Sequence, residues 1–245
     1  MTAIPHSWPG CTSYALEKKK LSWIVGALVV VIALVIAAPF LYKAARGGDD
    51  APAPAVSTDG AVAAAGPLDG VWVVVPGTEP NTTTAGYTVD EVLRGEPVTV
   101  VGTTDRVTGE ATISGTTLES ARFEARVEGI STDSSQRDNR ARSAEILDAS
   151  AHPVAILAVA GPVDLTAVPE DGASAVVPMQ VDLTIKGSTV RRVVDVTVLR
   201  SGEELIASGS VPVTWTEVDV RAPNLGFVTV DPAGTIDFLV SLARR

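Results

Sequence analysis

Period-two alternation runs through the C-terminal three quarters of the chain and limits what it can fold into. In Ala121–Glu128, ARFEARVE, the charged Arg122, Glu124, Arg126 and Glu128 share one face, and Ala121, Phe123, Ala125 and Val127 share the other. A helical period of 3.6 would mix these two sets, whereas a strand with one wet face keeps them apart. The same pattern sets Val181, Leu183 and Ile185 against Asp182 and Thr184, and turns Ile236, Phe238, Val240 and Leu242 inward. Val211, Val213 and Trp215 form another inward set, with Pro212 marking an edge or a bulge. Val107, Ala111 and Ile113 oppose Arg106, Glu110 and Thr112. Weaker runs cover Val71–Val75, Tyr87–Leu93, Val98–Val101, Val154–Val159 and Val193–Leu199. Turn signals at Gly95–Pro97, Ser114–Gly115, Gly187–Ser188 and Ser201–Gly202 fall between the runs. About ten short antiparallel strands at this spacing predict an all-β barrel or sandwich.

One stretch breaks the alternation. Asp133–Leu147, DSSQRDNRARSAEIL, is charged, rich in helix formers and without period two. It predicts a single inserted helix, with Asp133 as N-cap and Gln136 completing a capping box. His152–Pro153 marks the return to strand. A helix inserted midway in an all-β chain is placed to close one end of a barrel.

The N-terminal part has a different character. Leu21–Tyr42 is 22 residues without a charge, and a bilayer core takes about 20. A cleaved signal peptide would end in small residues, but Pro39, Phe40, Leu41 and Tyr42 stand there. Lys18, Lys19 and Lys20 outnumber Lys43 and Arg46 across the run, which orients the N-terminus toward the cytoplasm. The expected organisation is a short cytoplasmic segment at 1–20 and a transmembrane helix at 21–42. A flexible linker rich in Gly, Ala and Pro follows at 43–67, and one extracytoplasmic domain at 68–245. The formal charge of −10 divides accordingly, because residues 47–245 hold 14 basic and 28 acidic groups, a net −14. So acidic a surface predicts no nucleic-acid partner. Cys11 is the only cysteine, which excludes a disulfide framework and any CxxC site.

Catalytic chemistry finds little to build on. His152 is the one histidine after the apolar run, and it is read as a packing or surface residue. No GxSxG, HExxH or P-loop pattern occurs. In the adjacent pairs Asp90/Glu91 and Glu203/Glu204 the two side chains point to opposite faces of a strand, so they are read as solvated surface rather than acid/base dyads. Neither an enzyme, a metal site nor a cofactor is expected. The inward faces are small and aliphatic, and residues 47–245 contain six aromatics: Trp72, Tyr87, Phe123, Trp215, Phe227 and Phe238. Such walls either interdigitate into a filled core or, in a barrel of about eight strands, enclose one small ligand.

Gly129–Pro153, GISTDSSQRDNRARSAEILDASAHP, resembles the YceI-like family. Arg137 and Asp138 match that family's Arg-Asp pair, Ser143 its Ser, Leu147 and Asp148 its helix end, and Pro153 its step into the next strand. Val101–Gly102, Thr108–Gly109 and the Leu183, Thr184 and Gly187 of DLTIKG are weaker matches. Asn139 and Arg140 stand where the family has a His, and His152 where it has an aromatic. The resemblance implies a lipocalin-like antiparallel β-barrel that holds long isoprenoid chains, such as polyprenyl or quinone tails, often as a homodimer and in exported form. Phe123, Leu157, Leu183, Ile185, Trp215 and Phe238 are then the expected wall, with Arg137 and Asp138 organising the helix. The functional expectation is a single-pass, membrane-tethered binding protein for isoprenoid or other long-chain apolar lipids. The alternative is a ligand-free envelope interaction module whose acidic face meets a basic protein.

Overall fold

Alternation over short runs bounded by turn residues gives twelve strands in the structure, a computed structural model that describes residues 53–224 and 226–245. They are β1 Gly70–Val75, β2 Thr84–Leu93, β3 Glu96–Thr104, β4 Val107–Ser114, β5 Thr117–Arg126 and β6 Val154–Val159. The rest are β7 Val163–Asp164, β8 Ser174–Ile185, β9 Ser188–Ser201, β10 Glu204–Thr214, β11 Val228–Val230 and β12 Ala233–Arg244. One helix, α1 at Ser135–Arg142, lies between β5 and β6. The expected segments 1–20 and 21–42 lie outside the described residues. Among the described residues no helix is long and apolar enough to cross a membrane.

Two pairs of segments act as single long staves. β1 and β2 lie end to end along one edge of β12, where Val75 faces Ser241 and Thr84 faces Leu239. β4 and β3 continue the circuit on the far edges of β1 and β2. The order then runs β5, β6, β8, β9, β10, β12 and back to the start, an eight-staved antiparallel barrel with β7 and β11 as short additions. Closure turns one face of every stave inward, and those faces form a single core that includes Trp72, Ile113, Leu183, Val196, Val211, Phe238 and Val240.

The closure is incomplete where β8 leaves β6, its Ser174–Met179 stretch pairing with β9 alone, and again between β9 and β10. β9 and β10 pair from their hairpin only as far as Thr197 and Ser208. Beyond that point β9 pairs with β8 alone and β10 with β12 alone. Arg192 spans the parting, with Nε donating to the Pro212 carbonyl at 3.2 Å and Nη2 to Glu217 at 2.7 Å. Pro212 thus sits on an unpaired edge, where a missing N–H forfeits no ladder bond.

Helix α1 is shorter than the sequence predicts. Ser134, not Asp133, is its N-cap, accepting from the Arg137 N–H, and Asp133 pairs with the Arg137 side chain instead. The helix stops at Arg142 rather than Leu147, because both the N–H and the hydroxyl of Ser143 turn back onto the Arg140 carbonyl. A serine that satisfies a carbonyl locally competes with the next helical turn. The β5 alternation likewise ends at Arg126, and Val127–Gly129 forms a 3-10 turn. Trp215 leaves its strand to open a second such turn, Trp215–Val218.

Part of the stretch read as flexible linker is laid along the outside of the barrel. Val56 and Ala61 cover a second, outward apolar cluster of Leu199, Ile206 and Leu239. The Val56 and Val62 amides donate to the hydroxyls of Ser208 and Ser201, at 3.0 and 3.1 Å. Ser57 and Asn81 exchange two hydrogen bonds, and the buried Arg200 donates to the Gly66 carbonyl at 2.7 Å. Each of the three large side chains brings roughly 1.5–3 kcal/mol when fully removed from water, enough to hold a short segment in place.

Candidate binding site at the helix end of the barrel

The inward row at mid-height is set by strand register. Gly109 faces Phe123, Phe123 faces Leu157, Leu157 faces Leu183, and Leu183 faces Val190. Gly109 has φ +153°, and a Cβ there would stand 2.3 Å from the Arg122 carbonyl and 2.7 Å from Phe123 Cδ1. Only glycine therefore lets the Phe123 ring lie across β4.

The six expected wall residues fall into two groups. Leu183, Ile185, Trp215 and Phe238 are buried in the core. The indole Nε1 of Trp215 is satisfied by the Asp231 carbonyl at 2.9 Å. Phe123 and Leu157 are half-buried, and so are Ala125 and Ala155 beside them and Ile146 and Leu147 from the turns after α1. These six pack against the main core yet keep surface of their own at the helix end. Leu183, Val211, Val218 and Val240 are at most 1% exposed. Burial is therefore graded, complete around these four and partial beside α1.

Arg137 and Asp138 hold this end in shape. Asp138 is 6% exposed, and its Oδ1 accepts from both the amide and the hydroxyl of Thr132 at 2.8 Å. Arg137 donates through Nη2 to Glu91 at 3.1 Å and through Nη1 to Asp133. Burial alone would lower the Arg137 pKa, but the charges of Glu91 and Asp133 and their hydrogen bonds raise it overall. The guanidinium is thus a fixed cation whose two terminal nitrogens both face carboxylates.

Two residues at this site were not among those expected. Glu91 does point away from the exposed Asp90, as the strand requires, but it is 7% exposed and inward rather than solvated. Tyr87, two positions before Val89 on the same face, packs its ring where a Cβ on Gly102 would stand, 2.6 Å from Cε1, beside the Thr132 methyl. The signal available in the sequence was the inward series Tyr87, Val89, Glu91, which places a carboxylate on an otherwise apolar face. His152 lies against Gly187 in the β8–β9 hairpin turn.

Two open depressions lie elsewhere, and none of the eight expected residues lines either. One, of about 470 Å³, sits at the parting of β9 and β10 beside Ala53–Ala55, and the other, of about 400 Å³, lies near Pro162 and Pro178. Among the described residues no group of three or more His, Cys, Asp or Glu is arranged to hold a metal ion.

Solved structures share this architecture. A polyisoprenoid-binding domain from Saccharophagus degradans, implicated in plant cell wall breakdown, aligns with a TM-score of 0.55 at 16% identity, over 71% of this chain and 98% of its own. BcnA of Burkholderia cenocepacia aligns with a TM-score of 0.51 at 17% identity, over 64% of this chain and 95% of its own. At these identities the likeness is one of fold. No curated protein sequence matches the chain. The model of the YceI-like domain matches residues 77–242, which spans β2 to β12 with α1 and takes in more than half of the chain, so the chain belongs to the YceI-like family.

Proposed function

We propose that residues 68–245 bind an isoprenoid or another long apolar lipid at the helix end of the barrel, on the extracytoplasmic side of a membrane in which Leu21–Tyr42 anchors the chain. The observation that carries this reading is the half-buried apolar patch of Phe123, Leu157, Ala125, Ala155, Ile146 and Leu147, continuous with the core but not sealed by it. Family membership supports it, as does the fold shared with a domain described as polyisoprenoid-binding. An isoprenoid tail is slim and uncharged, and each CH₂ it buries is worth about 0.8 kcal/mol without any hydrogen bond. Because the core around Leu183, Val211, Val218 and Val240 is sealed, the tail in this reading lies against the patch and α1 rather than along the whole barrel axis.

The test is organic extraction of the full chain purified from membranes, followed by mass spectrometry. An isoprenoid-type lipid is expected from the wild type. Leu157→Trp, which fills the patch, is expected to lower the recovered amount roughly fivefold, the equivalent of about 1 kcal/mol. Absence of lipid from the wild type, with no uptake of a fluorescent isoprenoid, overturns the reading. The sealed core favours a second reading, a ligand-free module whose acidic face meets a basic protein; it requires that protein to copurify and no lipid to be found.

A further inference from the structure

The polar groups at the helix end bear on what a bound apolar tail carries at its head, a question that presupposes the lipid reading. Four acidic or basic side chains converge there: Glu91 from β2, Asp133 from the loop before α1, and Arg137 and Asp138 from α1 itself. Arg137 is the cation an anionic head would seek, but both its terminal nitrogens already face carboxylates. Asp138 adds a third carboxylate, with Arg142 Nη2 3.7 Å from its Oδ2. The other helix cations are also engaged, Arg140 with Glu145 at 2.6 Å and Arg142 with the Glu128 carbonyl at 2.9 Å. A pyrophosphate brought here would have to displace the buried Glu91 from Arg137 and strand that carboxylate, which is costly in a desolvated place.

Tyr87 offers the opposite chemistry. It lies on the same inward face as Glu91 and packs on the core, and its hydroxyl makes no hydrogen bond to another described residue and is not sealed from solvent. Burial, the largest influence, pushes the phenol up to about 12; Arg137 pulls the other way, and Asp138, Glu91 and Asp133 add to the rise. The hydroxyl therefore stays protonated and remains a donor at any physiological pH. A donor with no acceptor on the protein, open to an incoming group and under the influence of three carboxylates, suits an uncharged oxygen.

We propose that Tyr87 is the head-group contact of this site, and that the lipid it selects ends in a neutral oxygen function, an alcohol or a carbonyl, rather than a phosphate or pyrophosphate. Selection has two parts, a hydrogen bond from Tyr87 that favours the neutral head and a Glu91–Arg137–Asp133 cluster that refuses the anionic one.

The experiment is a pair of titrations of the full chain at fixed non-ionic detergent concentration, read by tryptophan fluorescence, with geranylgeraniol and geranylgeranyl pyrophosphate as probes. The wild type is expected to bind the alcohol roughly tenfold more tightly than the pyrophosphate. Tyr87→Phe is expected to weaken the alcohol roughly fivefold and leave the pyrophosphate unchanged, as a single uncharged hydrogen bond would. Glu91→Gln, which releases one side of Arg137, is expected to narrow the preference, with thermal unfolding confirming that the variant is folded. A wild type that binds the pyrophosphate as well as or better than the alcohol overturns this inference while leaving the lipid reading in place. So does a Tyr87→Phe protein with undiminished alcohol affinity. A wild type that binds neither probe overturns this inference, and the extraction experiment then decides the lipid reading by itself.

Discussion

Tyr87 is the one tyrosine among the described residues, and its environment has a consequence for stability that needs no ligand. With the phenol pushed up to about 12 in the folded chain and near its ordinary 10.0 when unfolded, both states are neutral below pH 10 and the stabilisation is complete there. Between pH 10 and about 12 the unfolded chain ionises first, so stability is lost as the pH rises, by at most about 1.4 kcal/mol per pH unit. Urea unfolding followed across that window is expected to show the decline in the wild type and a shallower one in Tyr87→Phe. Identical slopes would mean that Tyr87 is not held neutral by its surroundings.

At the scale of elements, the segment from Val56 to Gly66 is held to the barrel by backbone amides that reach side-chain hydroxyls. Replacing both acceptors, Ser201→Ala with Ser208→Ala, is expected to cost about 1–2 kcal/mol. Hydrogen exchange should then show Val56 and Val62 losing protection, while Ala64 and Ala65, whose amides reach the Glu170 and Gly202 carbonyls, and strands β9, β10 and β12 keep theirs. The same segment shows why the sequence reads so unevenly. The strands were legible because alternation is a property of each strand by itself: Val181, Leu183 and Ile185 need no partner to be recognised as one face. The charged stretch without alternation also marked a helix, which carries Arg137 and Asp138, although Ser134 and Ser143 moved both its ends by local hydrogen bonds that periodicity does not carry. The run APAPAVSTDGAVAAAGP has the composition of a tether. Among the groups that fix it are Ser201, Ser208, Arg200 and the carbonyls of Glu170 and Gly202, more than a hundred residues away, and no local pattern announces such contacts. Glu91 was missed for a related reason. Read beside Asp90 it is half of a solvated pair, and only Arg137, arriving from α1 some 46 positions later, makes an inward carboxylate tenable.

For the whole molecule, closure joins segments far apart in sequence, since β1 meets β12 through pairs such as Trp72 with Arg244. Long-range pairing of this kind implies folding on the slow side of the single-domain range, in milliseconds to seconds. The parting of β9 and β10 matters for how copies of the molecule behave toward one another. Ladder groups that have lost their neighbour are a docking template for a strand of a second chain, and Val193 beside them is 67% exposed. Pro212 contributes no amide to such a docking strand, and the Arg192 guanidinium already occupies its carbonyl and stands across the opening. A proline and a capped carbonyl on an edge are features that blunt strand pairing, whatever the ligand. Pro212→Thr combined with Arg192→Val is expected to leave the barrel folded but to raise the share of concentration-dependent oligomers above that of the wild type, read by light scattering at matched concentrations. A barrel that leaves this seam unstitched thus meets any approaching strand with a proline and an arginine.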